Sequence, residues 1–589
     1  MKLPAISRFT IVGAILALMA ALIPVQMVRI QTNVEARDKS DWFDQNFGYE
    51  ERTLTPERGN IYDRWGNLLA GNREVYEIGV ALNEVKSPET IARDLAAVLG
   101  ADYAGVLSAA STKYIKGEIE YIALVDFVDA DSVAKLAELQ KQYSDLPPAR
   151  RGQENPSLLG LHWTAHLHRS YPENELGSNV IGFVPYLDRS NNSGLYGVEQ
   201  YYDTMMAGAP LDVVIAVNPT NVQEIPNVQP GDSLILTIDR EIQSKMETVI
   251  DQAVADTGSD SGTIIVMNPE TGEILAMATT PRLNINEYWN YGEIFTGTTP
   301  FNRAISQTLE PGSTFKVITM ASALDSGVIT PSNTYYDDGW EEVGGINIHN
   351  WDYTIWNDQD MTGCMRHSIN TCLVWVAKQM GPTLFYDYLL RFGIGHRTNV
   401  DLYGEQTWPL SLPGDPDWYQ VNLGTNAYGQ GLAVTPIQLI TAISAVANDG
   451  TMMAPHILRA YIRNGRQYNV EPMPIGSPIS AETAHTLSEM LAISLEEEAS
   501  KALVEGYRIS GKTGTADIPE GDGWSDYTNA SFIGWGPTDD PKFIVYVWLE
   551  KPKSDRWGSV LAAPVFQQAV EQLVVLMDLP PDTVRLQLK

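Results

Sequence analysis

The uncharged run from Phe9 to Val28 constrains this 589-residue chain more than any other feature. Twenty helical residues at about 1.5 Å each span the roughly 30 Å hydrocarbon core of a bilayer. A cleaved secretory signal would carry a shorter apolar stretch ending in a small-x-small site. Here Pro24, Gln26 and Met27 close the segment, so it reads as a retained anchor. Lys2 and Arg8 put residues 1–8 on the cytoplasmic side, although Arg29, Arg37 and Lys39 reduce the contrast. No second run of this kind follows, so the rest is expected to fold outside the membrane as a soluble body. Its 73 acidic residues against 40 Lys and Arg give a net charge of −33. That balance argues against nucleic acid and against anionic lipid as a broad partner. Two cysteines, Cys364 and Cys372, are too few for a disulfide scaffold or a thiolate zinc cluster.

Residues 29–55 read as a polar stalk. Trp65-Gly66-Asn67 is a turn signal, and Val75 to Val80 alternates like a strand. Residues 87–145 read as mostly helical and 146–160 as a loop. A new unit starts near 231: a strand from Ser233 to Ile238, then a helix capped by Asp239. Its apolar face is Ile242, Met246, Val249, Ile250 and Val254. Gly262–Met267 and Ile274–Thr279 form a hairpin. A long helical stretch is expected from about 313 to 450, strands at 507–515, 530–536 and 543–549, and a final helix from Ala563 to Leu579. Strands at both ends of a unit with helices between them predict an α+β fold, an antiparallel sheet with a helical insertion.

The chemistry starts at Pro311-Gly312-Ser313-Thr314-Phe315-Lys316. Pro-Gly before a helical pattern makes a sharp start. Ser313 then sits on the first turn, where free N–H groups favour a developing negative charge. Lys316, three residues on, shares its face. In a partly dry cleft its amine can lose a proton and act as base for the serine hydroxyl. Alone this spacing is common, and a capping serine beside a solvated lysine explains it. Ser368-Ile369-Asn370 and Lys512-Thr513-Gly514-Thr515 follow in order, the latter within an alternating strand, and the three together are hard to obtain by chance.

With these motifs the chain resembles the penicillin-binding proteins, specifically the class B monofunctional transpeptidases of the bacterial cell wall. Arg58 to Arg64 with Gly66, Arg169-Ser170-Tyr171-Pro172 and Gly197-Val198-Glu199 are similar to motifs of that class's non-catalytic domain. Leu236 to Asp239, Asn268 to Glu273, Gly429-Gln430-Gly431, Thr435 to Leu439 and Ala563 to Phe566 resemble landmarks of its catalytic domain. The resemblance implies an anchor at 9–28, an elongated mixed pedestal at 29–230, and a transpeptidase domain at 231–589 with an antiparallel five-stranded sheet flanked by helices. It implies that Ser313 attacks the bond between two terminal D-alanines of a stem peptide, with Lys316 taking its proton. Ser368 would relay a proton to the leaving amine, and Asn370 would hold the donor backbone. Lys512 would supply positive potential, and Thr513, Gly514 and Thr515 would bind the terminal carboxylate. Backbone N–H groups of Ser313 and Thr515 would form the oxyanion hole. The expected ligands are peptidoglycan stem peptides and β-lactams, with a membrane-embedded glycan polymerase as partner and no cofactor, metal or nucleic acid.

Several readings compete. A β-lactamase or β-lactam sensor would use the same serine, but a hydrolase needs a base for water. Glu405 lies in the right region, and the asparagine expected four residues later is Pro409. A non-catalytic scaffold would not need all three motifs. His162, His166 and His168, two at i and i+4, lack a His-Glu-x-x-His pattern, so a surface or packing role outweighs metal binding. Cys364 and Cys372 on one continuous helix would stand about 12 Å apart, too far to bridge. In the family a loop separates the helices here, which leaves both a bridge and two packed thiols open. Asn350-Trp351 reads either as cleft lining or as core.

Overall fold

The computed structural model describes residues 17–27, 29, 49–150, 154–186, 193–216, 227–297, 299–498, 500–520 and 523–588. The chain divides into two compact bodies, 1–57 with 208–231 and 58–207 with 232–589. In the first, Ala17–Met27 is an exposed apolar helix. It covers the later part of the expected anchor; residues 9–16 and 28 lie outside the described residues. The expected stalk ends in a strand, Tyr49–Leu54, paired antiparallel with Leu211–Ala216. Residues 30–48 of that stalk are outside the described residues.

The second body is built on two sheets. The antiparallel one has five strands in the order Ser510–Glu520, Gly523–Gly536, Phe543–Glu550, Ser261–Met267, Ile274–Thr279. The inner strands Phe543–Glu550 and Ser261–Met267 are buried along nearly their whole length because both faces are covered. Ile264, Val266, Phe532, Val545 and Val547 pack against Ile242, Met246 and Ile250 of helix Arg240–Thr257 and Phe566 and Leu573 of helix Gly558–Leu576. Ile265, Met267, Ile533, Ile544 and Tyr546 face the helical insertion, with Val317, Ile318 and Ile440 in the same core. Helix Gly558–Leu576 is long and apolar enough to span a membrane, but its inner face is spent on this core.

The other sheet has seven strands. Six run in the order Arg466–Asn469, Leu458–Arg463, Ser233–Leu236, Ile61–Tyr62, Leu68–Ala81, Tyr121–Val128, and Leu161–Ser170 also pairs with Leu68–Ala81. Ser233–Leu236 lies parallel to Ile61–Tyr62 and antiparallel to Leu458–Arg463, so residues from before and after 231 share one ladder. The motifs of the amino-terminal half converge beneath it. Both oxygens of the buried Glu199 carboxylate are taken, by Arg58 Nε and Arg169 Nε at 2.7 Å each. Tyr171 adds its hydroxyl at 3.3 Å. Burial alone would raise this carboxyl, but the two guanidinium groups outweigh it and hold it below its ordinary value.

Three expectations need correcting, and the histidine cluster finds its contacts. The helical region 87–145 contains the strand Tyr121–Val128, whose sequence YIALVDFV suits pairing with Leu68–Ala81. The stretch 313–450 contains four short strands, Thr334–Asp337, Trp340–Val343, Ile346–His349 and Asn357–Asp360. The last long helix starts at Gly558 and ends at Leu576, and a further helix, Asp582–Leu588, follows Pro580-Pro581. The histidines lie on strand Leu161–Ser170, where even spacing puts all three on one face. His162 meets Glu84, His166 meets Asp126, and His168 packs on Phe127.

Candidate active site

The serine element and the edge strand Ser510–Glu520 touch at glycines. Gly312 has φ +56°, a left-handed conformation, and an added Cβ would stand 2.6 Å from the Thr515 carbonyl oxygen. Gly514 leaves no room either: a Cβ would meet Ser531 Oγ at 2.3 Å and Thr314 Cγ2 at 2.8 Å. Ser313 lies on a 3₁₀ turn, Gly312–Phe315, that runs into helix Lys316–Asp325. The expectation of a plain α-helical first turn is thus corrected. The Gly312 N–H is tied to Gly429 O at 3.0 Å, which tightens the entry.

Lys316 is fully buried. Its Nζ lies 2.6 Å from Ser368 O, 2.7 Å from Asn370 Oδ1 and 3.1 Å from Ser368 Oγ. Its amine donates to all three oxygens, which fixes Nζ on the turn that carries Ser368 and Asn370. Burial, and then the charge of Lys512, holds Lys316 well below the ordinary lysine value. Lys512 Nζ donates to Ser368 Oγ at 3.0 Å, and lies within 3.3 Å of both Thr513 oxygens. Burial lowers it to about 8, with Glu498 opposing. Ser368 Oγ therefore connects the two lysines, and burial disfavours the charged form of Lys316.

The remaining expected residues are held as follows. The Asn370 carboxamide also donates from Nδ2 to His349 O at 3.3 Å. Thr515 Oγ1 accepts the Gly558 N–H at 3.0 Å, at the start of helix Gly558–Leu576, which leaves its own O–H free to donate. The strand Ser510–Glu520 is the sheet edge, so one row of its N–H and C=O groups can pair with an extended peptide. Asn350 is buried and bridges Asp337 and Thr371. Trp351 is half-exposed and meets Trp557 at a ring distance of 4.5 Å. Sequence reasoning missed Trp557 and Gly558, because only the fold carries the start of that helix to Thr515. Glu405 spends its carboxylate on the N–H groups of Thr398 and Asn399 and on the Thr398 hydroxyl.

Cys364 and Cys372 are joined, with Cα atoms 6.1 Å apart. The continuous-helix spacing fails because helix Met361–Arg366 ends and helix Asn370–Arg391 begins between them, with Ser368 at φ +52°. The bridge thus brackets the turn that carries Ser368 and Asn370. Closing so short a loop stabilises by about 2.5 kcal/mol in the chain-entropy account. The Cys364→Ser, Cys372→Ser double variant should lose about that much stability in denaturant titration and acylate more slowly. An unchanged midpoint would sink this expectation.

The penicillin-binding protein transpeptidase domain matches residues 262–571, more than half of the chain, and the penicillin-binding protein dimerisation domain matches 53–236. The chain belongs to the class B penicillin-binding proteins. Among curated relatives of this transpeptidase family it is 31% identical over 528 residues to stage V sporulation protein D of Bacillus subtilis, covering 87% of this chain and 77% of the relative. It is 28% identical to the peptidoglycan D,D-transpeptidase FtsI of Escherichia coli, covering 72% and 70%. Penicillin-binding protein 2X of Streptococcus thermophilus shares the fold, with TM-score 0.75, 22% identity and coverage of 89% and 80%. So does penicillin-binding protein 3 of Mycobacterium tuberculosis, in a complex with aztreonam, with TM-score 0.67, 23% identity and coverage of 90% and 98%.

Proposed function

We propose that this penicillin-binding protein is a peptidoglycan D,D-transpeptidase working through a Ser313 acyl-enzyme, and that β-lactams trap it there. The observation that carries the reading is the chain Lys316–Ser368–Lys512 beside the Ser313 turn. Lys316, whose charged form burial disfavours, takes the Ser313 proton. Ser313 attacks the carbonyl between the terminal D-alanines, and the backbone N–H groups of Ser313 and Thr515 receive the oxyanion, each contributing a few kcal/mol. The proton passes from Lys316 through Ser368 to the leaving amine. The Lys512 charge and the Thr513 and Thr515 hydroxyls hold the departing carboxylate, and Gly514 lets the strand approach the serine turn. Asn370 orients both Lys316 and the donor backbone. An amine of a second stem peptide then takes the acyl group.

The division into an anchor at 9–28, a pedestal at 29–230 and a catalytic domain at 231–589 is part of this proposal. So is a single-pass topology with the catalytic domain outside the cytoplasmic membrane, supported by the uncharged run and by kinship with this family. We further propose a separate membrane-embedded glycan polymerase as partner, since no polymerase motif precedes the catalytic region. The test uses the full chain in detergent. Labelled penicillin should map to a Ser313 peptide, and lipid-linked disaccharide-pentapeptide should give no glycan until a polymerase is added. An adduct on Ser368, or polymer from the pure protein, contradicts the reading.

A further inference from the structure

The segments that carry Gly312 and Thr515 also line a cavity of about 460 Å³. Glu310, two residues before Gly312, and Asp517, two after Thr515, both line it, together with Trp408, Leu432 and Ala433. Two of the four charged side chains that line it are already paired. Asp517 binds Arg556 at 2.7 Å, and Glu550 binds Arg303. Glu310 differs: Oε1 accepts the Gly431 N–H at 3.0 Å, while Oε2 is buried with no donor, and no cation pairs with it among the described residues. Burial chiefly, with Asp517 adding and the Gly431 N–H opposing, raises its carboxyl to about 7. Tyr428, Asp517, Glu550 and Lys551 are the other titratable groups around it.

Microscopic reversibility says which side the second substrate enters from. The attacking amine must occupy the place the leaving D-alanine amine vacated. The leaving group's carboxylate is held at Thr513 and Thr515, and the same strand runs on to Asp517 and the cavity, about 3.3 Å per residue. We propose that this cavity is the acceptor subsite: it seats the aliphatic side chain bearing the attacking amine, and Glu310 is the carboxylate that receives the ammonium on entry. This rests on the transpeptidase reading above. The ammonium gives one proton to Glu310, which passes it to water. The neutral amine forms a C–N bond at the acyl carbon as the C–Oγ bond to Ser313 breaks, and the second proton shed by nitrogen returns to Ser313 Oγ through Lys316.

The test separates acylation from transfer. A donor peptide ending in D-alanyl-D-alanine is given to the full chain with increasing Nα-acetyl-lysine amide, and the ratio of transfer product to hydrolysis product is measured. Glu310→Gln keeps the Gly431 contact but removes the charge. It should lower that ratio about tenfold, the scale of one charge-assisted hydrogen bond, and by more than it slows penicillin acylation. Ala433→Phe, which fills the cavity without touching charge, should raise the acceptor concentration needed for half-maximal transfer and guards against misfolding of the first variant. Ratios unchanged in both variants overturn the subsite. A wild-type acyl-enzyme that hydrolyses and never transfers to the amine also overturns it, while leaving Ser313 as the nucleophile. Absence of any acyl-enzyme is the separate failure of the function reading, and removes the subsite with it.

Discussion

The Ser313→Ala protein is expected to take up no labelled penicillin, and Lys316→Ala is expected to come close to it. Loss of a general base costs about 10²–10⁴-fold, and more where nucleophile and base act as one unit. Lys316 does more than accept a proton: its Nζ also ties Ser368 O and Asn370 Oδ1, so its removal frees the second catalytic element as well. Thr515→Val should be milder, because it removes the hydroxyl that the Gly558 N–H meets while keeping the backbone N–H at the oxyanion position. The measurement is the acylation rate of folded variants, with the order of damage Ser313, Lys316, Thr515. Rapid acylation of Lys316→Ala would overturn the assignment of the base.

The second large effect is on pH. Lys316 must be neutral to take a proton, and burial and the neighbouring charge lower the pH at which it becomes so. Lys512 must stay charged to hold a carboxylate, and it gives up its proton at about 8. Acylation should therefore rise as Lys316 deprotonates and fall as pH passes through about 8, where Lys512 becomes neutral. Lys512→Arg keeps its charge through this range, so its alkaline fall should move upward even if its different geometry lowers the maximum. Lys512→Ala should cost roughly 10²-fold or more at the optimum, on the scale of losing one preorganised electrostatic contact. If the alkaline limb stays at the same pH in Lys512→Arg, Lys512 is not the group that titrates.

Much of this was legible because three short motifs carry chemistry that tolerates few substitutes. Lys316 and Lys512 stand 196 positions apart in sequence. Their order with Ser368 was enough to bring them together on paper, and the structure places both on one hydroxyl. The helix after Asp239 was legible for a local reason, since the Asp239 side chain accepts the N–H groups of Glu241 and Ile242. What stayed hidden depends on distant partners. Tyr121–Val128 reads as one more apolar stretch among helices until Leu68–Ala81 supplies its ladder. The cysteine pair was undecidable because the helix break at Ser368 is a tertiary matter. Glu310 carries no motif of its own, and its isolation is visible only once Gly431 and Asp517 close around it.

The strand Ser233–Leu236 has a bearing on how such a chain can be rebuilt. It is clasped between Ile61–Tyr62 on one side and Leu458–Arg463 on the other. A graft that transplants the enzyme onto a foreign stalk by cutting at 231 would leave one flank of that strand bare, exposing unpaired backbone along an edge that invites pairing with another chain. The transplantable module is therefore discontinuous: it must bring Ile61 and Tyr62 with it, along with enough of the preceding half to present them.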